Sequence, residues 1–190
     1  PLGRTTDGYA WPAAFLSLDE FGQQEPAGEF SAWLLETRHA QQETVDVPVP
    51  CGDCTACCRS SYFVHIGADE SRTLKRIPRQ LLFPAPGEPA GNVLMGFDER
   101  GHCPMLVDDR CSIYADRPRT CRTYDCRIFP ATDISVATED KPLIAEGALR
   151  WRFAHPTAGD QSEHISLRSA AVYLRDHAEA FGGAVPQNAK

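Results

Sequence analysis

The chain has 190 residues, a hydrophobic fraction of 42% and a net charge of −7, which suits one domain or one domain with an appendage. This hydrophobic fraction can bury a core, so wholesale disorder is excluded. The sequence has no run of about 18 apolar residues, so we expect no membrane span. It shows no secretory signal, and its negative charge argues against nucleic acid as a partner. We therefore expect a cytoplasmic protein.

The N-terminal part is predicted to hold two helices, a short one and a longer one. The first 25 residues are aromatic and irregular, and a short helix is expected after Pro12. Hydrophobic periodicity then predicts a helix over 26–42. Its inner face carries Phe30, Trp33, Leu34 and Thr37. The two prolines in residues 45–50 limit that segment to an extended or edge position.

The middle of the chain is predicted to alternate short strands with turns. Strands are expected at 61–66 and 92–97, with a helix at 68–77 that ends before Pro78 and a Pro/Gly loop at 83–92. Further on, we expect a hairpin in which 102–107 pairs with 111–114, and a helical turn within 115–126 that begins near Pro118.

In the last part of the chain only one element can be predicted, because residues 131–160 match neither a helix nor a strand pattern clearly. A helix is expected over 162–181, closed by Gly182 and Gly183. Its predicted inner stripe consists of Ile165, Leu167, Ala171, Leu174, Ala178 and Phe181.

These elements predict a small α+β domain, mostly helix and irregular loops with one short hairpin, organised around a cysteine-ligated metal site. Within it we expect an N-terminal helical extension at 1–50 and a cysteine-cluster module at 51–130. A C-terminal helical segment at 131–190 should pack on the module.

The eight cysteines carry the functional signal of the sequence. None lies in residues 1–50 or 127–190, whereas a disulfide-stabilised fold would spread them more widely. They form two groups: Cys51, Cys54, Cys57 and Cys58, then Cys103, Cys111, Cys121 and Cys126. A Cys-x-x-Cys turn directs two thiolates at one cation, as in zinc knuckles and iron–sulfur loops. The clustering therefore predicts one local metal site.

The adjacent Cys57 and Cys58 cannot easily direct both sulfurs at one ion. They suit two neighbouring metals, or one ligand and one working thiol. Eight thiolates fit two four-sulfur sites, a polynuclear zinc site, or one iron–sulfur cubane with four further cysteines, and disulfides remain an alternative. Since each group looks incomplete alone, we expect one joint site with ligands from both groups.

Several arginines, histidines and tyrosines lie near the cysteines in the sequence and could support the metal site. Segment 110–127 carries five arginines and two aspartates, and we expect Arg117 and Arg122 to support thiolates from outside the ligand set. His65 and His102 could supplement the sulfurs, but a strand and a turn position explain them more simply. Tyr114 and Tyr124 are predicted to pack, and the remaining histidines are expected at the surface or in packing. The sequence identifies no catalytic residue.

Segments 51–59, 101–106 and 111–126 resemble the bacterial CxxCxxCC proteins, often called YkgJ-family cysteine cluster proteins. The resemblance covers roughly 51–130. It implies a zinc- or iron-chelating domain in which all eight cysteines are metal ligands. A related module is similar to part of flagellin lysine N-methylases, where an iron–sulfur cluster is implicated.

The functional expectation is thus a metal-binding protein that holds zinc or an iron–sulfur cluster. The alternatives are a cluster-dependent enzyme, either redox-active or protein-modifying like a lysine N-methylase, and an adaptor with zinc-stapled loops. Metal ions are the expected partners. The substrate or protein partner is unknown, and neither nucleic acid nor a membrane is expected.

Overall fold

A computed structural model describes residues 24–43, 49, 51–134 and 141–182. These residues form six helices and three small sheets, so the α+β class is confirmed. The helices are α1 (Phe30–Glu43), α2 (Ser71–Arg76), α3 (Arg119–Thr123), α4 (Ile128–Thr132), α5 (Pro142–Leu149) and α6 (Ala158–Asp176). The strands are β1 (Glu25–Glu29), β2 (Val64–Ile66), β3 (Leu82–Pro84), β4 (Val93–Met95), β5 (Leu106–Val107), β6 (Arg110–Cys111) and β7 (Trp151–Ala154). None of the helices in these ranges is long and apolar enough to cross a membrane.

The sheets join distant parts of the chain. Strands β1 and β7 pair in parallel. Strand β4 lies between β2 and β3, and both of these pairings are antiparallel. The predicted hairpin is present as β5 and β6, and Asp108 and Asp109 form its two-residue turn with positive φ, as such tight turns require.

Two hydrophobic clusters stabilise these elements. The first consists of Val64, Ile66, Ile77, Met95, Met105 and Ile113. Three cysteines, Cys103, Cys111 and Cys121, pack against it. The second cluster is centred on Phe30, Trp33 and Ala131, and Leu34 packs against it. The predicted inner face of the first helix is therefore confirmed for these α1 residues.

The first helix starts later than predicted. Residues 25–29 form strand β1 instead, and α1 begins only at Phe30. Gly28 has φ +96°, which no helix accommodates, and the Glu25 N–H donates to the carbonyl of Arg150 at 2.9 Å. Pairing with β7 therefore overrides the helical pattern of 26–29.

Most other elements occur where predicted but are shorter. The strand predicted at 61–66 is β2, the helix at 68–77 is α2, the strand at 92–97 is β4, and Pro118 directly precedes α3. Two predictions need correction. The loop predicted at 83–92 begins inside β3, and the ambiguous region 131–160 holds α5 and β7. The helix after Pro12 lies outside the described residues, as does nearly all of segment 45–50.

The predicted inner stripe of the last helix is wrong in part. Ile165 is 58% exposed, and Leu174 and Phe181 are also exposed, whereas Leu167 packs against the second cluster and Ala171 and Ala178 are half-buried. The helix ends at Asp176, and a 3₁₀ turn capped by Gly182 follows it. Polar residues also take part in its packing, because the buried Asp160 closes a capping box and the half-buried His164 ring stacks on Phe30 at 4.1 Å.

Asp160 should make the stability of this region depend on pH. Hydrogen bonds from Ser31 and then from Thr157 lower the pKa of Asp160 to about 2 from its ordinary 3.8. A carboxylate with a lowered pKa stabilises the fold above its unfolded pKa, and this contribution is lost as pH falls toward about 2. We expect Asp160→Asn to lower the urea midpoint at pH 7 and to matter progressively less below pH 4. Asp176→Asn, at the exposed other end of α6, is the control; equal midpoint losses in both variants would contradict this.

Candidate metal centre

Backbone hydrogen bonds bring the two cysteine segments side by side. The Cys103 N–H donates to the carbonyl of Cys58 at 2.7 Å, and the Ser61 N–H donates to that of Gly101 at 2.9 Å. Gly101 has φ +79°, and a Cβ there would lie 2.2 Å from the Ser61 Oγ. Glycine at position 101 therefore allows the close approach that puts Cys58 beside Cys103.

The first segment reverses direction twice. The Cys54 N–H donates to the carbonyl of Cys51 at 2.9 Å, and Gly52 adopts φ +52° inside this turn. A 3₁₀ turn over Cys57–Arg59 follows. The consecutive Cys57 and Cys58 thus sit in a tight helical turn, where neighbouring side chains diverge.

One group of thiols gathers around Cys57 and is called the outer set here: Cys51, Cys54, Cys57 and Cys126. Although Cys57 is partly exposed, protein atoms crowd its sulfur. This desolvation, and then the charges of Cys126, Cys51, Cys54 and, last, the adjacent Cys58, raise the pKa of Cys57. Burial raises the pKa of Cys126 to about 11, with Cys51 and Cys54 among the further causes. Cys126, which belongs to the second cysteine segment, thus has its cysteine neighbours in the first segment.

The remaining thiols form the inner set: Cys58, Cys103, Cys111 and Cys121. Desolvation, and then the charges of Cys103 and Cys111, raise the pKa of Cys58 to about 12. Desolvation likewise raises the pKa of Cys121 to about 12, followed by the effects of Cys103 and Cys58. Cys58 also interacts, more weakly, with Cys51 and Cys54, so the two sets are neighbours.

The thiols are neighbours without yet forming a coordination sphere. All eight cysteines are free, and no disulfide joins them. Among the described residues, no three His, Cys, Asp or Glu side chains are arranged to hold an ion. A bound ion would therefore have to draw the sulfurs of a set closer together.

Two residues beyond the cysteine segments also border the outer set, and the sequence pattern did not identify them. The indole Nε1–H of Trp151 donates to the Sγ of Cys126 at 3.0 Å and lowers the pKa of this thiol against its burial. Gly147 of α5 lies so close that a Cβ there would be 3.8 Å from the Cys54 Sγ. A tryptophan and a helical glycine carry no metal-binding signal, so only the fold reveals these contacts.

Arg117 acts on both sets. Its charge lowers the pKa of Cys51 and of Cys121, although burial dominates in each case and raises the pKa. The guanidinium lies 4.0 Å from the ring centroid of Tyr114 and donates to the carbonyl of this residue at 2.9 Å. Arg122 donates to the carbonyl of Arg117 at 2.7 Å. Arg122 thus fixes the loop, and Arg117 carries the charge.

Replacing Arg117 by lysine should weaken metal retention. Lysine keeps the charge but loses the planar fork that stacks on Tyr114 while bonding its carbonyl. We expect Arg117→Lys to increase metal release several-fold, which corresponds to about 1 kcal/mol. The measurement is metal content after dialysis against a chelator. Arg79→Lys, at an exposed position, is the control, and equal losses in the two variants would contradict a supporting role for Arg117.

Arg127 links the outer set to the N-terminal helix. Its guanidinium is buried. It donates to the carboxylate of Asp125 at 2.7 Å and to the carbonyl of Ala27 at 3.1 Å. Asp125 also accepts the indole N–H of Trp33 at 2.9 Å. Asp125 raises the pKa of Cys51 and Arg127 lowers it, so the two charges of this buried pair oppose each other and the network acts by fixing the position of the outer set.

The histidines and tyrosines occupy structural positions. His65 lies in β2 with a buried Nε2 that has no hydrogen-bond partner, and the backbone N–H of His102 donates to Asp98. His155 and His164 bond each other at 2.8 Å, which fits the predicted packing role. Tyr114 lies under Arg117. Burial, and then Cys57, raise the pKa of Tyr124.

Comparison with known protein families finds a match over the cysteine region. Residues 50–141 match the family model described as "CxxCxxCC: Putative zinc- or iron-chelating domain". The match includes all eight cysteines and confirms the resemblance seen in the sequence. No curated protein and no solved structure matches the chain.

Proposed function

From the CxxCxxCC-family domain that this chain carries at residues 50–141, we propose that the protein binds zinc or iron through its eight cysteines. The supporting observation is the way the thiols are sorted. The outer set takes Cys126 from the second segment, and the inner set takes Cys58 from the first. Each set of four therefore joins both segments, which supports a joint site.

The chemistry of the donor set fits a thiophilic cation. Desolvation and mutual repulsion raise the pKa of Cys58, Cys121 and Cys126, so deprotonating these thiols is costly unless a positive charge compensates. Zn²⁺ is held by four thiolates at about 2.3 Å, and iron–sulfur clusters also use four cysteines. When bound, the metal would supply this charge and cross-link the two segments.

The chain's own residues prepare the sulfurs for such a cation. The indole N–H of Trp151 donates to the Sγ of Cys126, and the charge of Arg117 opposes the effect of burial on the pKa of Cys51. Donors of this kind orient metal ligands and stabilise their charge. Under this proposal, 51–130 is the metal-binding module, while Trp33 of the N-terminal segment and Trp151 of the C-terminal segment pack against it.

Metal analysis after anaerobic purification tests the proposal. A brown protein with broad visible absorption would contain iron–sulfur, and a colourless protein with stoichiometric zinc would contain thiolate zinc; either result supports metal binding. A reduced, folded protein that binds neither zinc nor iron would refute it. The enzyme and adaptor alternatives stay hypotheses from the sequence, because no structural observation favours a substrate or a partner.

A further inference from the structure

The two sulfur sets differ in their surroundings. Three members of the inner set, Cys103, Cys111 and Cys121, pack against the first hydrophobic cluster, and no member of this set is exposed. The hairpin β5–β6 carries Cys111, and the backbone bond between Cys58 and Cys103 closes the other side. The core therefore restricts the approach of a competing ligand to an ion in the inner set, and movement of the core elements would widen it.

The outer set lies nearer to solvent. Cys54 of this set is exposed, and Cys57 is exposed as a residue although protein atoms crowd its sulfur. The side of Cys54 toward α5 faces Gly147, which has no side chain to cover the sulfur. A competing ligand can therefore approach the outer sulfurs without disturbing the core cluster.

From this difference we infer that the inner set holds its metal permanently, for the fold, and that the outer set exchanges its metal with ligands in solution. The inference rests on the proposed metal binding and adds that the two sets have different roles, one structural and one exchangeable. Exchange at a thiolate site needs an incoming ligand to reach the ion as a cysteine sulfur leaves. The exposed Cys54 permits this step, and the core packed against the inner set hinders it.

The kinetics of zinc release test the inference. The full chain is loaded with Zn²⁺ and mixed with an excess of a chromogenic chelator. We expect two phases of equal amplitude whose rates differ by at least about tenfold, equivalent to about 1.4 kcal/mol in activation free energy. Release in a single phase would overturn the inference while leaving metal binding intact. A chain that takes up no metal would instead refute the proposed function.

Substituting a ligand of the outer set shows which kinetic phase belongs to which sulfur set. Cys57→Ser should remove the fast phase and leave the slow phase with its amplitude and rate. A loss of the slow phase, or of both phases, would overturn the assignment. This test keeps the inner set intact, so it does not depend on an inner-set variant that fails to fold.

Gly147→Ala tests access without changing a ligand. The added methyl would lie 3.8 Å from the Cys54 Sγ and 3.7 Å from the Ala56 Cβ, which are ordinary contacts, so the fold should accept it. We expect the fast phase to slow several-fold and the slow phase to stay unchanged. Gly96→Ala is the matched control, because its methyl would lie in ordinary contact 3.6 Å from the Phe63 ring and 3.7 Å from the Phe83 ring, with no sulfur among its nearest atoms. An unchanged fast phase, or equal slowing of both phases, would overturn the inference.

Discussion

Removing the metal should unfold the region between Cys51 and Cys126 and lower the melting temperature of the protein by more than about 10 °C. The elements in this region are too short to be stable alone, since α2 has 6 residues, α3 has 5 and strands β5 and β6 have 2 each. A structural thiolate site contributes on the order of 10 kcal/mol. This is comparable to the whole stability of a domain, roughly 5–15 kcal/mol.

Circular dichroism and thermal melting before and after chelation measure this effect. The signal of α6, a 19-residue helix with its own capping box, should persist better than the tertiary signal of the cysteine region. Adding Zn²⁺ or iron back under reducing conditions should restore the original melting curve. Unchanged spectra and melting temperature after verified metal removal would contradict a folding role for the metal.

Paired cysteine substitutions should separate crossed ligation from two independent sites, one per segment. In the crossed arrangement, Cys57 and Cys126 serve one metal, whereas Cys58 serves the other. The double variant Cys57→Ser/Cys126→Ser should therefore lose no more metal than either single variant. Cys57→Ser/Cys58→Ser should lose both metals.

Independent sites would give the opposite result. If each segment bound its own metal, Cys57→Ser/Cys58→Ser would damage one site only, and Cys57→Ser/Cys126→Ser would damage both. Metal content per chain after gel filtration decides between the two, and circular dichroism identifies variants that have lost their fold. Residues in contact behave non-additively, so we expect the Cys57/Cys126 pair to show the stronger coupling in stability as well.

Local sequence patterns predicted the elements that depend on local interactions. The hairpin around Asp108 and the apolar face of α1 were predictable, because a two-residue turn and an i, i+3 spacing are local signals. The parallel pairing of β1 with β7 was not, since Glu25 and Trp151 are partners only through the tertiary fold. The face of α6 was predicted only in part, because the periodicity considered apolar residues alone. Leu167 packs as predicted, but the buried Asp160 and the half-buried His164 also pack, through hydrogen bonds and ring stacking.

For the candidate site, too, some features were predictable from the sequence and others depended on the tertiary fold. Cysteine spacing predicted a joint site, and it left Cys57 and Cys58 either as ligands of two neighbouring metals or as one ligand and one working thiol. It could not identify which sulfur of the second segment would cross over. The neighbours of Cys126 depend on the fold beyond α3 and on Trp151, which contacts it from 25 residues further along the chain. Gly147 was equally unpredictable, because a glycine matters here only for the sulfur beside it.

X-ray absorption at the edge of the metal that copurifies with the full chain tests the central claim most directly. Because eight thiols are available in two sets, the account predicts a first shell of four sulfur atoms around each metal, whether it is zinc or iron. A first shell containing nitrogen or oxygen ligands, or about two sulfurs per metal, would contradict ligation by the two cysteine sets.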